Sequence, residues 1–219
     1  METSVLINLL WTGLLETLYM TLVSTLVAYI IGLPIGVSLI VTDPNGIHPI
    51  GWYNKVMGFI VNVIRSVPFL ILMIALMPYV RKVIGTGIGT SATVAVLIVA
   101  AAPFVARLVE QSLKEVDPGV IEAAQSLGAS NMTIVRKVLL LEARPSLLNG
   151  AAVATITILG YSAMAGVVGG GGLGDLAIKY GMYRYETTIM WITVIVLVIL
   201  VQILQEIGVR LANKLDNRL

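Results

Sequence analysis

EAAQSLGASNMTIVRKVLLLEARPS, residues 122–146, interrupts a chain that is otherwise almost continuously apolar. Within these 25 residues stand three basic and two acidic side chains, too much charge for a segment buried in hydrocarbon. The stretch lies between apolar runs, so it marks a place where the chain leaves the membrane and returns. The chain is 58% hydrophobic and only 12% charged over its 219 residues, against about 25% charged residues in ordinary soluble domains. Its mean hydropathy is +0.95. These values imply an integral membrane protein.

A hydrocarbon core of about 30 Å takes about 20 apolar residues to cross as a helix. Five segments reach that length: residues 17–41, 56–79, 90–109, 145–168 and 187–209. The expected fold is therefore all-α, a polytopic transmembrane helical bundle of five spans forming one membrane domain over residues 1–219. Residues 3–15 either form a short lead-in helix at the interface or extend the first span, because Glu16 interrupts the apolar run there. METSVLINLL contains no Lys or Arg, whereas a cleavable leader opens with a basic stretch, so the amino terminus is expected to be retained.

Basic residues accumulate on the cytoplasmic side of short loops. With the amino terminus outside, the inner loops and span ends hold Lys55, Arg65, Arg107, Lys114, Arg136, Lys137, Arg144, Arg210, Lys214 and Arg218. The outer side then holds Arg81, Lys82, Lys179 and Arg184, ten basic residues against four. The expected topology has the carboxyl terminus and residues 117–144 in the cytoplasm.

Local signals give that cytoplasmic segment a shape. Asp117-Pro118 starts a helix, since Asp accepts from free backbone N–H groups and Pro has none to leave unpaired at the first position. Gly128 closes it through the left-handed conformation, and Ser130 caps a second helix running through Val135, Val138 and Leu139. The result is a helical elbow. Val120, Ile121, Ala123, Ala124 and Leu127 share one face of its first helix, and Glu122, Gln125 and Ser126 the other. A helix lying in the lipid interface favours Lys or Arg on its polar face. This one has Glu122 and two alanines that admit a close backbone, which favours docking into a protein groove.

Glu122-Ala123-Ala124-x-x-x-Gly128, followed after nine residues by Val138-x-Leu140, resembles the EAA loop of the permease subunits of binding-protein-dependent ABC importers. Those proteins usually carry Pro after that Leu; here Leu141 stands there, and Pro145 follows four residues later. The resemblance implies the type I importer permease fold. It also implies that Glu122, Ala123, Ala124 and Gly128 belong to a coupling helix seated in a cleft of a separate ATPase subunit. Along the rest of the chain it extends to Glu16-Thr17-Leu18, to Arg65-Ser66-Val67-Pro68-Phe69, and to GYSAMAGVVGGGGLG. The likeness is closest to the methionine-importing branch. It implies D- and L-methionine as substrates, a homodimer of this chain, two cytoplasmic ATPase subunits that bind ATP and Mg, and an extracytoplasmic methionine-binding lipoprotein. The place is a bacterial cytoplasmic membrane.

Other residues carry two readings each. Arg65 is either a topological anchor that snorkels toward the cytoplasm or, with Pro68 kinking the helix beyond it, a pathway or gate residue at a hinge. Tyr161, Ser162 and Met164, set between Gly160 and Gly166, mark either close helix packing or a polar lining near the gate. GGGGLGDL, residues 169–176, satisfies G-x-G-x-x-G, but that fingerprint signals a dinucleotide only between a strand and a helix. It is either a flexible turn or, as the resemblance implies for Gly169, Gly171, Gly172, Leu173 and Gly174, the loop that meets the binding protein.

Enzyme classes fail on inventory. With no cysteine there is no thiol chemistry, and there is no paired intramembrane carboxylate, H-E-x-x-H, G-x-S-x-G or P-loop. His48 has no partner for metal or acid–base work and reads as a solvated loop residue. No cofactor is expected in this chain, and a net charge of +2 suggests no nucleic acid. Two other functions stay open: a permease of the same kind for another small polar solute, and a scaffold or channel that works without ATP.

Overall fold

The computed structural model describes residues 3–215 and is all-helical, with no strand among the described residues. Arg218, counted above toward the cytoplasmic charge, lies outside them. The principal helices are α1 (Thr3–Val41), α2 (Gly51–Ser66), α3 (Phe69–Ile84), α4 (Thr90–Lys114), α5 (Pro118–Ser126), α6 (Asn131–Ile134), α7 (Leu140–Glu142), α8 (Arg144–Met164), α9 (Gly172–Ala177) and α10 (Thr187–Leu215). Four stretches are single helices long and apolar enough to cross a membrane: Ser4–Val41, Thr90–Lys114, Arg144–Val168 and Thr187–Lys214.

Residues 3–15 are continuous with the first span as one 39-residue helix. The apolar run over residues 56–79 differs from the single kinked helix expected of it. It lies in two helices, α2 and α3, bent by 103° at a break. Pro68 stands there with ψ 135° and caps α3. The residue before a proline is pushed out of the helical region, and Pro68 has itself left it, so the chain breaks rather than bends.

The chain forms two compact units. The first comprises Met1–Val27, Val67–Ala101 and Thr155–Gln205. Its core joins Leu159, Leu173, Leu176 and Leu200, with Leu10, Leu14, Leu18 and Val196 packed around them. The second comprises Ala28–Ser66, Ala102–Ala154 and Glu206–Leu219. Close packing in this unit sets α1 against α4. A Cβ at Gly32 would stand 2.7 Å from the Ala102 carbonyl oxygen, and one at Gly36 2.6 Å from that of Ala106. Gly32 and Gly36 form a G-x-x-x-G, the spacing that lets two membrane helices meet backbone to backbone. The loop after α1 is pinned in the same unit: Asn54 Nδ2 donates to the Leu39 carbonyl at 2.7 Å, and Tyr53 to Ser38 Oγ at 3.0 Å.

Candidate functional site: the helical elbow and its supports

Asp117 Oδ1 accepts from Gly119 N at 2.6 Å, capping α5 with Pro118 in its first turn. Gly128 has φ +76°, and its N–H and that of Ala129 close the helix on the carbonyls of Gln125 and Ala124. Ser130 Oγ accepts from Thr133 N at 3.3 Å and caps α6. The second arm then widens into a π-helical turn over Val135–Leu139 before α7. Such wide turns are single-turn insertions found often at functional sites. Ile134 and Leu139 are buried and fasten this arm within the second unit.

The other arm is left bare. No residue of α5 is buried. Leu127 is 88% exposed and Val120 42%, while Glu122, Ala123 and Gly128 are exposed and Ala124 half-buried. A cavity of about 340 Å³ lies beside the elbow, lined by Val41, Asp43, Leu113, Ile121, Glu122 and Leu139 among others. The face thus offers apolar side chains, small residues and one carboxylate on a scaffold fixed by two caps, without any reactive group.

Arg65 occupies the last turn of α2, where a cation is favoured by the helix dipole. It lies 5.9 Å from the centre of the Phe104 ring, within cation–π range. Its side chain and that of Asn62 are exposed in the isolated chain. In the first unit, Tyr161 stacks on Phe69, the first residue of α3, at 4.6 Å and 4°. Ser162 is buried and donates to the Leu159 carbonyl at 2.8 Å, so it has no free donor to offer a polar path. Met164 is half-exposed.

The glycine run is folded inward. Gly169, Gly171 and Gly172 all have positive φ, and Gly172 through Leu176 are buried. Glu16 Oε2 accepts from Gly172 N at 2.7 Å, and Thr17 Oγ1 from Leu173 N at 2.9 Å. Gly89 N donates to the Gly169 carbonyl at 3.0 Å, and Thr93 Oγ1 to that of Gly170 at 3.3 Å. Leu173 is fully buried and Gly172 and Gly174 are buried too, so these three offer little surface for a second protein. Their role inside the chain is to lock α9 against α1.

Sequence reasoning used Arg107 only as a topology marker and passed over Glu110, a buried carboxylate on α4. Glu110 pairs with Arg107 at 2.5 Å and with Lys114 at 2.8 Å. The signal available was their i,i+3 and i,i+4 spacing in an apolar helix. Among the described residues no group of His, Cys, Asp or Glu is placed to hold a metal ion.

The model of the family described as "binding-protein-dependent transport system inner membrane component" matches residues 30–216. A probable D-methionine transport system permease protein MetI from Vibrio cholerae is 49% identical over 211 residues, covering 96% of this chain and 94% of the relative. The D-methionine transport system permease protein MetI of Escherichia coli K12 is 49% identical over 158 residues, 72% of this chain and 73% of that one. Among solved structures, an inward-facing conformation of the MetNI methionine ABC transporter superposes with TM-score 0.96 at 45% identity, over 99% of this chain and 100% of that one. A chain of an amino acid ABC transporter with histidines gives TM-score 0.72 at 26% identity, over 97% and 94%.

Proposed function

Because the chain belongs to the family of binding-protein-dependent transport system inner membrane components, we propose that it is the membrane-spanning permease subunit of an ATP-driven methionine importer. The chain is a transport component rather than an enzyme, an inner-membrane protein with the fold of type I ABC permeases. Methionine as substrate is supported by the names of relatives nearly half identical over almost the whole chain. The D-enantiomer is the one those names carry; uptake of both D- and L-methionine belongs to the proposal.

The single observation that carries the mechanism is the bare face of α5. A helix with Leu127 and Val120 in solvent, held rigid by Asp117 and Gly128, is built to be covered by something outside this chain. Its occupant is the ATPase subunit. Two copies of the chain and two ATPases make the working complex, with ATP and Mg held by the ATPases, and an external methionine-binding lipoprotein delivers the substrate. The amino terminus is outside and the elbow in the cytoplasm, as the ten-to-four distribution of basic residues supports.

Transport follows by alternating access. Shifting a two-state bundle from 1:99 to 99:1 takes roughly 5.5 kcal/mol of differential binding. Closure of a nucleotide-loaded ATPase dimer on the elbow supplies that difference, and little substrate affinity is needed here if capture happens on the external protein. The test is uptake of radiolabelled D- and L-methionine into proteoliposomes. Uptake is expected only when this chain, its ATPase, the binding protein and ATP are all present. Uptake by this chain alone, down a gradient and without ATP, would make it a channel.

A further inference from the structure

Arg107 presents its guanidinium in two directions. Nη1 donates to Glu110 Oε2 on its own helix at 2.5 Å, while Nη2 donates to the Gly58 carbonyl at 3.1 Å and to Asn62 Oδ1 at 2.9 Å, both on α2. Glu110 is buried and spends its other oxygen on Lys114 Nζ at 2.8 Å. The carboxylate is thus held at both oxygens, and it holds the guanidinium in one orientation.

We propose that Arg107 is a positioning residue that ties α2 to α4, so that movement of the elbow reaches the half of the broken span that carries Arg65. The proposal deepens the importer reading and rests on it. Three observations converge. First, α4 runs without interruption from Arg107 to Lys114, and only Glu115, Val116 and Asp117 separate it from α5. Second, α2, the Arg107 end of α4 and the whole elbow belong to one compact unit. Third, Arg107 Nε is buried with no hydrogen-bond partner among the described residues. A largely buried arginine with one donor unsatisfied is poor material for stability alone. It is suited to fixing the geometry of two helices, because a rigid planar fork can serve an intrahelical carboxylate and a neighbouring backbone carbonyl together.

Lysine at this position keeps the charge, and with it the topology signal, but its three donors sit on one nitrogen and cannot reproduce the planar fork that serves both helices. Arg107→Lys therefore separates the tie from the charge, and Asn62→Leu removes one acceptor from the other side. The chain has no cysteine of its own, so Lys55→Cys on α2 and Gln111→Cys on α4, both exposed positions, can carry a spin-label pair in the assembled complex. With Arg107 present, the label distance is expected to be the same in the nucleotide-free and ATP-bound states. With Arg107→Lys it is expected to broaden, and methionine moved per ATP hydrolysed to fall at least tenfold while ATP hydrolysis persists. Asn62→Leu is expected to lie between. A wild-type distance that changes with nucleotide, or an Arg107→Lys complex with the wild-type ratio of uptake to hydrolysis, overturns the proposal. If the unmodified complex takes up no methionine, the importer reading fails by itself, and the spin-label distances still decide whether the tie exists.

Discussion

Thr17 does two things with one oxygen. Its hydroxyl donates to the Gly13 carbonyl at 2.8 Å and accepts from Leu173 N, a residue 156 positions away. Thr17→Val keeps the shape but leaves the buried Leu173 N–H unpaired, a cost of about 1–3 kcal/mol. Gly172 has φ +77°, and a Cβ there would meet Thr17 Oγ1 at 2.7 Å. Gly172→Ala therefore adds strain of roughly 1–2 kcal/mol from the left-handed backbone to a clash. Both variants are expected to melt at lower temperature than the parent in detergent, Gly172→Ala by more, and an unchanged melting temperature for either contradicts the lock. Nothing local announces this contact. Glu16 reads as an interruption of an apolar run, Thr17 as the start of the first span, and the glycines as a turn or loop, because their pairing depends on residues far apart in sequence.

At the scale of the element, the elbow was legible because its punctuation is local. Asp117, Pro118, Gly128 and Ser130 each act on backbone groups within three residues or so, and the structure uses each of them as a cap or terminator. The π-helical turn over Val135–Leu139 has no such mark in the residues around it, although Ile134 and Leu139, before it and at its end, are both buried. The broken span was half legible: Pro68 signalled a disturbance, but a kink and a full break look alike in the residues around it. Two predictions belong here. Glu122→Lys reverses a charge on the exposed face, and Gly128→Val forces a β-branched residue to φ +76°. Each is expected to leave membrane insertion intact and to lower methionine uptake at least tenfold while ATP hydrolysis by the assembled complex continues; normal uptake by both refutes the coupling role. Gly32→Leu places a side chain where the Ala102 carbonyl stands 2.7 Å from the Cβ position. Overpacking of this kind costs typically about 1–3 kcal/mol, so a lower yield of folded protein and a lower melting temperature are expected, with Gly51→Leu, at an open position, as the control.

For the whole molecule, the apolar runs and the basic residues carried the class and the expected orientation, because both follow from how water and lipid treat charge rather than from any one contact. What they could not carry was the association of residues into two compact units, or the tie from Arg107 to Gly58 across 49 positions. The absence of cysteine makes the orientation directly testable. Single cysteines at His48 and Ser126 are expected to react with an impermeant maleimide only after the membrane is opened, and those at Thr86 and Tyr185 in intact cells. The reverse pattern inverts the topology and takes the elbow out of reach of any cytoplasmic ATPase. The most direct measurement is a photo-cross-linker placed at residue 127, the most exposed apolar position of the elbow, in membranes that also hold the ATPase. A covalent adduct with the ATPase, with yield that changes when ATP is added, is the expected result. An adduct only with lipid or with an external protein, in membranes where the ATPase is present and active, contradicts the account.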